Sequence, residues 1–331
     1  MRILVLGGTA WLGGNVVREA LAAGHEVTCL ARGSSPVPAG AELVRADRDL
    51  PDAYDAVAGR TWDGVIDVAR QPRHVRGALR ALAGSTGRWV FVSTGNVYAA
   101  HDRVGDDESA ELLDPLAGDM DTMEEYGAAK VACEQALRDV LQDRAVIARA
   151  GLIGGPGDDS GRSTYWPWRF AHPSSPSGAV LVPDSRLATA LIDVRDVARW
   201  LVEAACAVHE PGAYDAIANR CTLAEHLAVA RTVAGHTGEL VAVPDAWLAE
   251  HGVNEWAGPR SLPLWLHDPA WQGFGGRSGE RIAAGLRARP LAETLADALA
   301  WEESRGSHGP HGAGLTDEEE RALLAELGAG R

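Results

Sequence analysis

The first 150 residues alternate short runs that are apolar at nearly every position with amphipathic stretches of helical spacing. Few architectures tolerate that order. The apolar runs cover 2–6, 26–31, 42–46, 64–68, 88–93 and 145–150; the amphipathic stretches cover 12–23, 52–58, 74–83 and 121–141. A strand buried on both faces loses the apolar–polar alternation of a half-exposed one. Helices between such strands make right-handed crossovers, so the segment predicts an α/β fold with a doubly wound parallel sheet covered on both sides.

The remainder of the chain has a different texture. Residues 151–186 are rich in Gly, Pro and Ser, and 240–277 hold Trp247, Trp256, Trp265 and Trp271 among prolines and glycines. Between them a strand is expected over 189–192, a helix over 194–207, a strand over 214–218 and a helix over 223–233. Helical spacing returns over 290–301. A linker is expected over 306–314, then a terminal helix over 315–327 with Thr316 as N-cap and acids in its first turn. No internal repeat is visible.

Composition narrows the function. The net charge of −15 over 331 residues would repel the phosphates of a nucleic acid or an anionic membrane. No apolar run approaches the roughly 20 residues of a spanning helix, and the N-terminal strand is unlike a secretory signal. Cys29, Cys133, Cys206 and Cys221 lack any metal-ligand spacing, so reduced thiols and no metal are expected. A cytoplasmic protein with a small-molecule partner follows as the expectation.

Leu4-Val5-Leu6-Gly7-Gly8-Thr9-Ala10-Trp11-Leu12-Gly13 reads as strand, glycine turn and helix start. Such a turn offers the unpaired N–H groups of a helix N-terminus to a pyrophosphate, as in Rossmann-type dinucleotide sites. A carboxylate at the end of the second strand would bind the free ribose of NAD. Here the strand end is Ala31-Arg32-Gly33-Ser34, with no acid, and Arg32 suits the 2′-phosphate of NADP. NADP(H) is therefore favoured over NAD(H). Residues 1–150 with about 185–220 form the expected NADP-binding domain. The segments 151–184 and 221–305 form a smaller, irregular substrate-binding region, and 306–331 the linker and terminal helix.

Of the 31 basic residues only Lys130 is a lysine, and Tyr126 stands four positions before it. Residues i and i+4 share a helix face. A neighbouring ammonium favours the phenolate, which suits a tyrosine acting as general acid/base. Composition alone gives a tyrosine at that spacing roughly once in 66 trials. Arginine would bring charge but not the compact ammonium that can reach a ribose and a phenol together. The run Val90-Phe91-Val92-Ser93-Thr94 places hydroxyls at the carboxyl end of a central strand, where such sheets bind ligands; satisfying backbone groups at the strand end is their other reading.

Together with Leu191-Ile192-Asp193-Val194-Arg195-Asp196 and Arg289-Pro290-Leu291, these motifs resemble the extended short-chain dehydrogenase/reductase family, with its sugar-nucleotide epimerases and dehydratases, over residues 1 to about 301. The resemblance implies Tyr126 as proton donor/acceptor, Lys130 on the nicotinamide ribose and Thr94 as the catalytic hydroxyl. It also implies Ala150, Gly151 and Ile153 beside the nicotinamide, and Asp47 and Arg48 near the adenine. It leaves room for a homodimer through the helix bearing Tyr126. Three features depart from the pattern. Ala10 replaces a middle glycine, the stretch 69–87 is short as in an atypical branch, and Gly95-Asn96 replaces the Asp-Glu pair of the 4,6-dehydratases.

A reductase or dehydrogenase acting on a small carbonyl or alcohol is the expected function. An epimerase with transient oxidation is the alternative, and a non-catalytic NADP-binding scaffold is the alternative of another class. Trp166, Trp168, Trp256, Trp265 and Trp271 are expected chiefly as the core of the second region, with a stacking role as the other reading. Arg162, Arg169 and Arg260 are candidates for a substrate anion, against the commoner solvated arginine. Asp114, Asp119, Asp121, Glu124 and Glu125 would oppose an anionic substrate if they faced the pocket.

Overall fold

A computed structural model of the protein describes residues 1–306 and 312–329. Its centre is a seven-stranded sheet built from β1 (Arg2–Leu6), β2 (Glu26–Ala31), β3 (Glu42–Arg45), β4 (Trp62–Asp67), β5 (Thr86–Thr94), β6 (Ala145–Ala150) and the strand Gly212–Ala216. Every pairing is parallel, in the order Gly212–Ala216, β6, β5, β4, β1, β2, β3. The expected α/β doubly wound, Rossmann-type sheet is the one observed. Strands β1, β2 and β6 keep the bounds read from the sequence. β4 and β5 start two residues earlier because the pair Trp62↔Thr86 extends their ladder.

Burial explains the unbroken apolar runs. Ile3 and Val5 of β1 point to one face and pack with α1 (Trp11–Ala22) and α6 (Val194–Ala205). Leu4 and Leu6 point to the other and pack with α3 (Pro72–Leu82) and α4 (Tyr126–Leu141). All four side chains are fully buried, each contributing roughly 1.5–3 kcal/mol relative to exposure. The crossovers leave β1 in opposite senses, so a crevice opens at the carboxyl ends of β1 and β4, the switch point where such sheets bind ligands.

The expected strand over 189–192 is instead two short pieces with different partners. Ala188–Thr189 pairs antiparallel with Cys221–Thr222, and Ile192–Asp193 pairs parallel with Ile153–Gly154. The amphipathic stretch 121–141 is α-helical only from Tyr126, after a single 3-10 turn over Met123–Glu125. The Glu125 carboxylate accepts the N–H groups of Asp121 and Thr122 and fixes the turn before the helix.

A third core lies in the second lobe, around Trp166, Phe170, Val180, Leu227, Trp265, Leu295, Leu315 and Leu323. Residues 307–311 of the expected linker lie outside the described residues. Beyond them Ala313–Gly314 pairs with Gly258–Pro259, and Thr316 and Glu319 form a capping box at the terminal helix Asp317–Ala329. That helix is anchored by Arg169 of α5 (Tyr165–Ala171), which donates to Asp317 at 2.6 Å and pairs in charge with Glu320 at 3.2 Å while 1% exposed. Among the described residues no helix is long and apolar enough to cross a membrane.

Candidate active site

The glycine turn places its pieces by packing. Gly7 has φ +99°, and a Cβ on Gly13 would come within 2.2 Å of the Gly7 carbonyl oxygen. Only glycine lets α1 start so close to β1. The N-cap of α1 is Ala10, which supplies no side-chain acceptor, and its first turn holds no acid. The helix N-terminus therefore faces the crevice without a neutralising group of its own, as a pyrophosphate site requires. Gly8 and Gly13 are buried packing positions.

Two cavities meet at this turn. One, of about 330 Å³, is lined by Gly7, Thr9, Ala10, Arg32, Asp47 and Arg48; the other, of about 780 Å³, by Trp11, Leu12, Thr94, Tyr126, Lys130, Ala150, Gly151 and Ile153. Ala10, Val68 and Arg70 line both, so one groove runs from the ends of β2 and β3 to Tyr126. A groove of this length, an uncapped helix start and exposed arginines at one end fit a dinucleotide. Arg70 and Asn96 also line the groove, though neither was a site candidate. A polar residue just past the end of β4 or β5 was the available signal.

Arg48 lines the first cavity, but its charge is spoken for. Its guanidinium grips the buried Asp67 through two bonds of 2.8 and 2.9 Å and also donates to Tyr54 and the His74 carbonyl. It shapes the wall of this cavity rather than offering a free cation. Arg32 is exposed and, among the described residues, has no ion-pair partner. The guanidinium of Arg45, at the end of β3, lies against Gly33 beside it.

At the other end α4 carries Tyr126 and Lys130 on one face. Its first turn touches the end of β5, where a Cβ on Gly127 would lie 2.2 Å from the Asn96 carbonyl oxygen. Lys130 is 2% exposed and donates to the carbonyls of Ala69 (2.6 Å) and Val92 (2.5 Å). An ammonium has three N–H bonds, so one remains for the cavity. The Nζ sits 5.9 Å from the Tyr126 ring centroid. The hydroxyl of Thr94, a residue 7% exposed, donates to the Asn96 side-chain oxygen at 3.1 Å and accepts the Asn96 backbone N–H at 3.3 Å. Ser93 also lines the cavity, but its hydroxyl is committed to the buried Glu134, to which it donates at 2.6 Å. Tyr126, Thr94 and Lys130 thus share one cavity: a phenol, a second hydroxyl and a cation in reach of one ligand.

A family model described as the NAD dependent epimerase/dehydratase family matches residues 3–216. The chain belongs to that family. A 2′-dehydrokanamycin reductase of Streptomyces kanamyceticus is 32% identical over 260 residues, 76% of this chain and 71% of the relative. The UDP-glucose 4-epimerase of Thermotoga maritima, solved with UDP-glucose, superposes with a TM-score of 0.64 at 16% identity, covering 93% of this chain and 100% of that one. The UDP-glucose 4-epimerase of Thermus thermophilus, solved with NAD, gives 0.63 at 20%, covering 92% and 99%. These last two share the fold. As a member of the epimerase/dehydratase family with a reductase relative, the chain is an NAD(P)-dependent enzyme of the reductase or epimerase class.

The second lobe closes the larger cavity. Trp256, Leu266, Trp271 and Phe274 line it, with Arg162 and Glu255. Trp166 and Trp265 are fully buried in the lobe's own core. The tryptophans thus divide between packing and the cavity wall. The nearby acidic loop contributes only Met123 to the lining, and Asp119 is tied to Arg73.

Proposed function

We propose that the enzyme is an NADP(H)-dependent reductase acting on a small carbonyl compound, or in reverse on the alcohol. The observation that carries this reading is the convergence of Tyr126, Lys130 and Thr94 on one cavity continuous with a dinucleotide-sized groove. The cofactor supplies the hydride when bound. Tyr126 gives its proton to the carbonyl oxygen as that oxygen becomes an alcohol, and Thr94 donates a hydrogen bond to the same oxygen and holds it against the phenol. For Thr94 to do so, its hydroxyl swings from the Asn96 side chain toward substrate. The third N–H of Lys130 would be available to hold the nicotinamide ribose, and its positive charge would stand near the oxygen that gives up the proton. Arg32 and Arg45 at the ends of β2 and β3, with no carboxylate closing β2, support a 2′-phosphate and hence NADP(H). The relative named for reducing 2′-dehydrokanamycin supports net reduction over epimerisation.

Titration of the purified protein with NADPH and NADH, followed by a panel of carbonyl compounds read by loss of NADPH absorbance, tests the reading. Tighter NADPH binding and stoichiometric NADPH consumption are expected. Tightly retained cofactor with no net consumption would instead identify an epimerase.

A further inference from the structure

We infer that the substrate carries an oxyanion, a carboxylate or a phosphate, and that Arg162 is the residue that recognises it. The inference rests on the reductase reading above and adds the class of substrate.

Arg162 lines the same cavity as Tyr126, and its guanidinium stands over the Trp256 ring at 5.6 Å. Among the described residues, the Nε–H alone of its five N–H donors is engaged, by the Ser160 hydroxyl at 3.1 Å. The nearby acid, Asp158, is committed elsewhere: its carboxylate accepts the backbone N–H and hydroxyl of both Ser160 and Ser163. Glu255 is the only acid lining the cavity, and it is held by the backbone N–H and the ring of His267. Arg162 therefore has no ion-pair partner among the described residues. Burial lowers its proton affinity, and Asp158 and Tyr126 offset that only in part. An arriving oxyanion relieves this cost, and the free edge of a guanidinium matches its geometry through two parallel bonds.

The walls set the rest of the substrate. Trp256 is held with φ +65°, a backbone conformation that bulky residues avoid and that persists where the surroundings impose it. It packs edge-on to Phe274 at 5.4 Å, and Trp271 makes a second edge-on contact with Phe274 at 6.0 Å. These rings suit a flat apolar face. The cavity of about 780 Å³ must also hold the nicotinamide end, which leaves space for a small ligand only. The five acids that would have opposed an anion are absent from its lining.

Calorimetric titration of the NADP⁺ complex with benzoate, phenyl phosphate and the neutral benzamide tests the inference. The wild-type complex should bind one or both anions at least about tenfold more tightly than benzamide. Arg162→Gln should erase that difference while NADP⁺ affinity stays within about twofold, and Arg162→Lys should keep part of it, as charge without the fork. Equal or undetectable binding of all three probes overturns the inference, as does an anion preference that survives Arg162→Gln. A parallel loss of NADP⁺ affinity in that variant overturns it by assigning Arg162 to the cofactor. A shifted pH–rate profile with an unchanged anion preference overturns it by making Arg162 a positioning residue for Tyr126. Failure of the wild-type protein to bind NADP⁺ would defeat the cofactor reading itself, which separates the two failures.

Discussion

At the end of the groove proposed for the adenosine the cations are exposed and easily held, whereas at the end proposed for the substrate they are enclosed and must be supported. Arg32 and Arg45 stand at strand ends in water. Lys130 is 2% exposed and survives burial because two carbonyls accept from it; Arg162 is half-buried with one hydroxyl on it. An exposed charge contributes little until a phosphate arrives, and salt screens it. An enclosed charge acts through a weaker dielectric and gains more from a partner. The difference teaches that affinity for the cofactor's tail is adjustable one arginine at a time, while the reactive end depends on a supported constellation.

The hardest test of that contrast is at the reactive end. Tyr126→Phe should lower the turnover rate about a thousandfold, the usual scale for removing a positioned acid/base group. Cofactor affinity measured by the same titration should stay within about twofold, since the phenyl ring remains. A comparable loss of NADPH binding would show that the two ends are not separable. Next in size comes the support of the second lobe. Glu320→Ala leaves the buried Arg169 with the exposed Asp317 as its one remaining carboxylate among the described residues, beside the carbonyls of Leu315 and His172, and should cost about 3 kcal/mol by denaturant unfolding. Because α5 follows the loop bearing Arg162, any anion preference should weaken before the Tyr126 chemistry does.

The sheet was legible because its causes are local. Runs such as Ile3 to Leu6 are apolar at every position because both faces are covered, and Gly7 and Gly13 are spaced by the turn they make. Lys130 stood out by composition and Tyr126 by helical periodicity. The cavity wall was not legible in the same way. Arg162, Trp256, Trp271 and Phe274 come from separate irregular segments, and nothing local separates Trp256, on the cavity, from Trp265, fully buried in the core. Arg48 illustrates the limit from the other side. Its place past the end of β3 was readable, but the buried Asp67 that takes its charge lies at the end of β4, nineteen residues on.

The second lobe should also be the acid-sensitive one. His226 on α7 (Leu223–Val233) is 1% exposed, and neither ring nitrogen has a hydrogen-bond partner among the described residues. Burial depresses its pKa to about 4 from the ordinary 6.5. The folded state thus refuses a proton that the unfolded chain accepts below pH 6.5. Stability is present above that value and is lost as pH falls toward 4, by about 2 kcal/mol at pH 5. His226→Leu should flatten that part of the stability–pH curve, measured by unfolding between pH 7 and pH 5. An unchanged slope would remove His226 as its cause.

The smallest effect belongs to the exposed end, and it decides whether the contrast is one of degree or of kind. Arg32→Asp should weaken NADPH binding about tenfold and leave NADH binding unchanged or slightly tighter, since a carboxylate there suits free ribose hydroxyls. Arg45→Ser should weaken NADPH by a few-fold, because its guanidinium lies beside Gly33 rather than on β2 itself. Both effects should shrink as salt is raised, in keeping with solvated charges. If Arg32→Asp leaves the NADPH-to-NADH ratio where it was, the arginine is a bystander and the 2′-phosphate assignment falls. If the ratio moves but resists salt, the adenosine end is enclosed when loaded, and its cations then work by the same physics as Lys130.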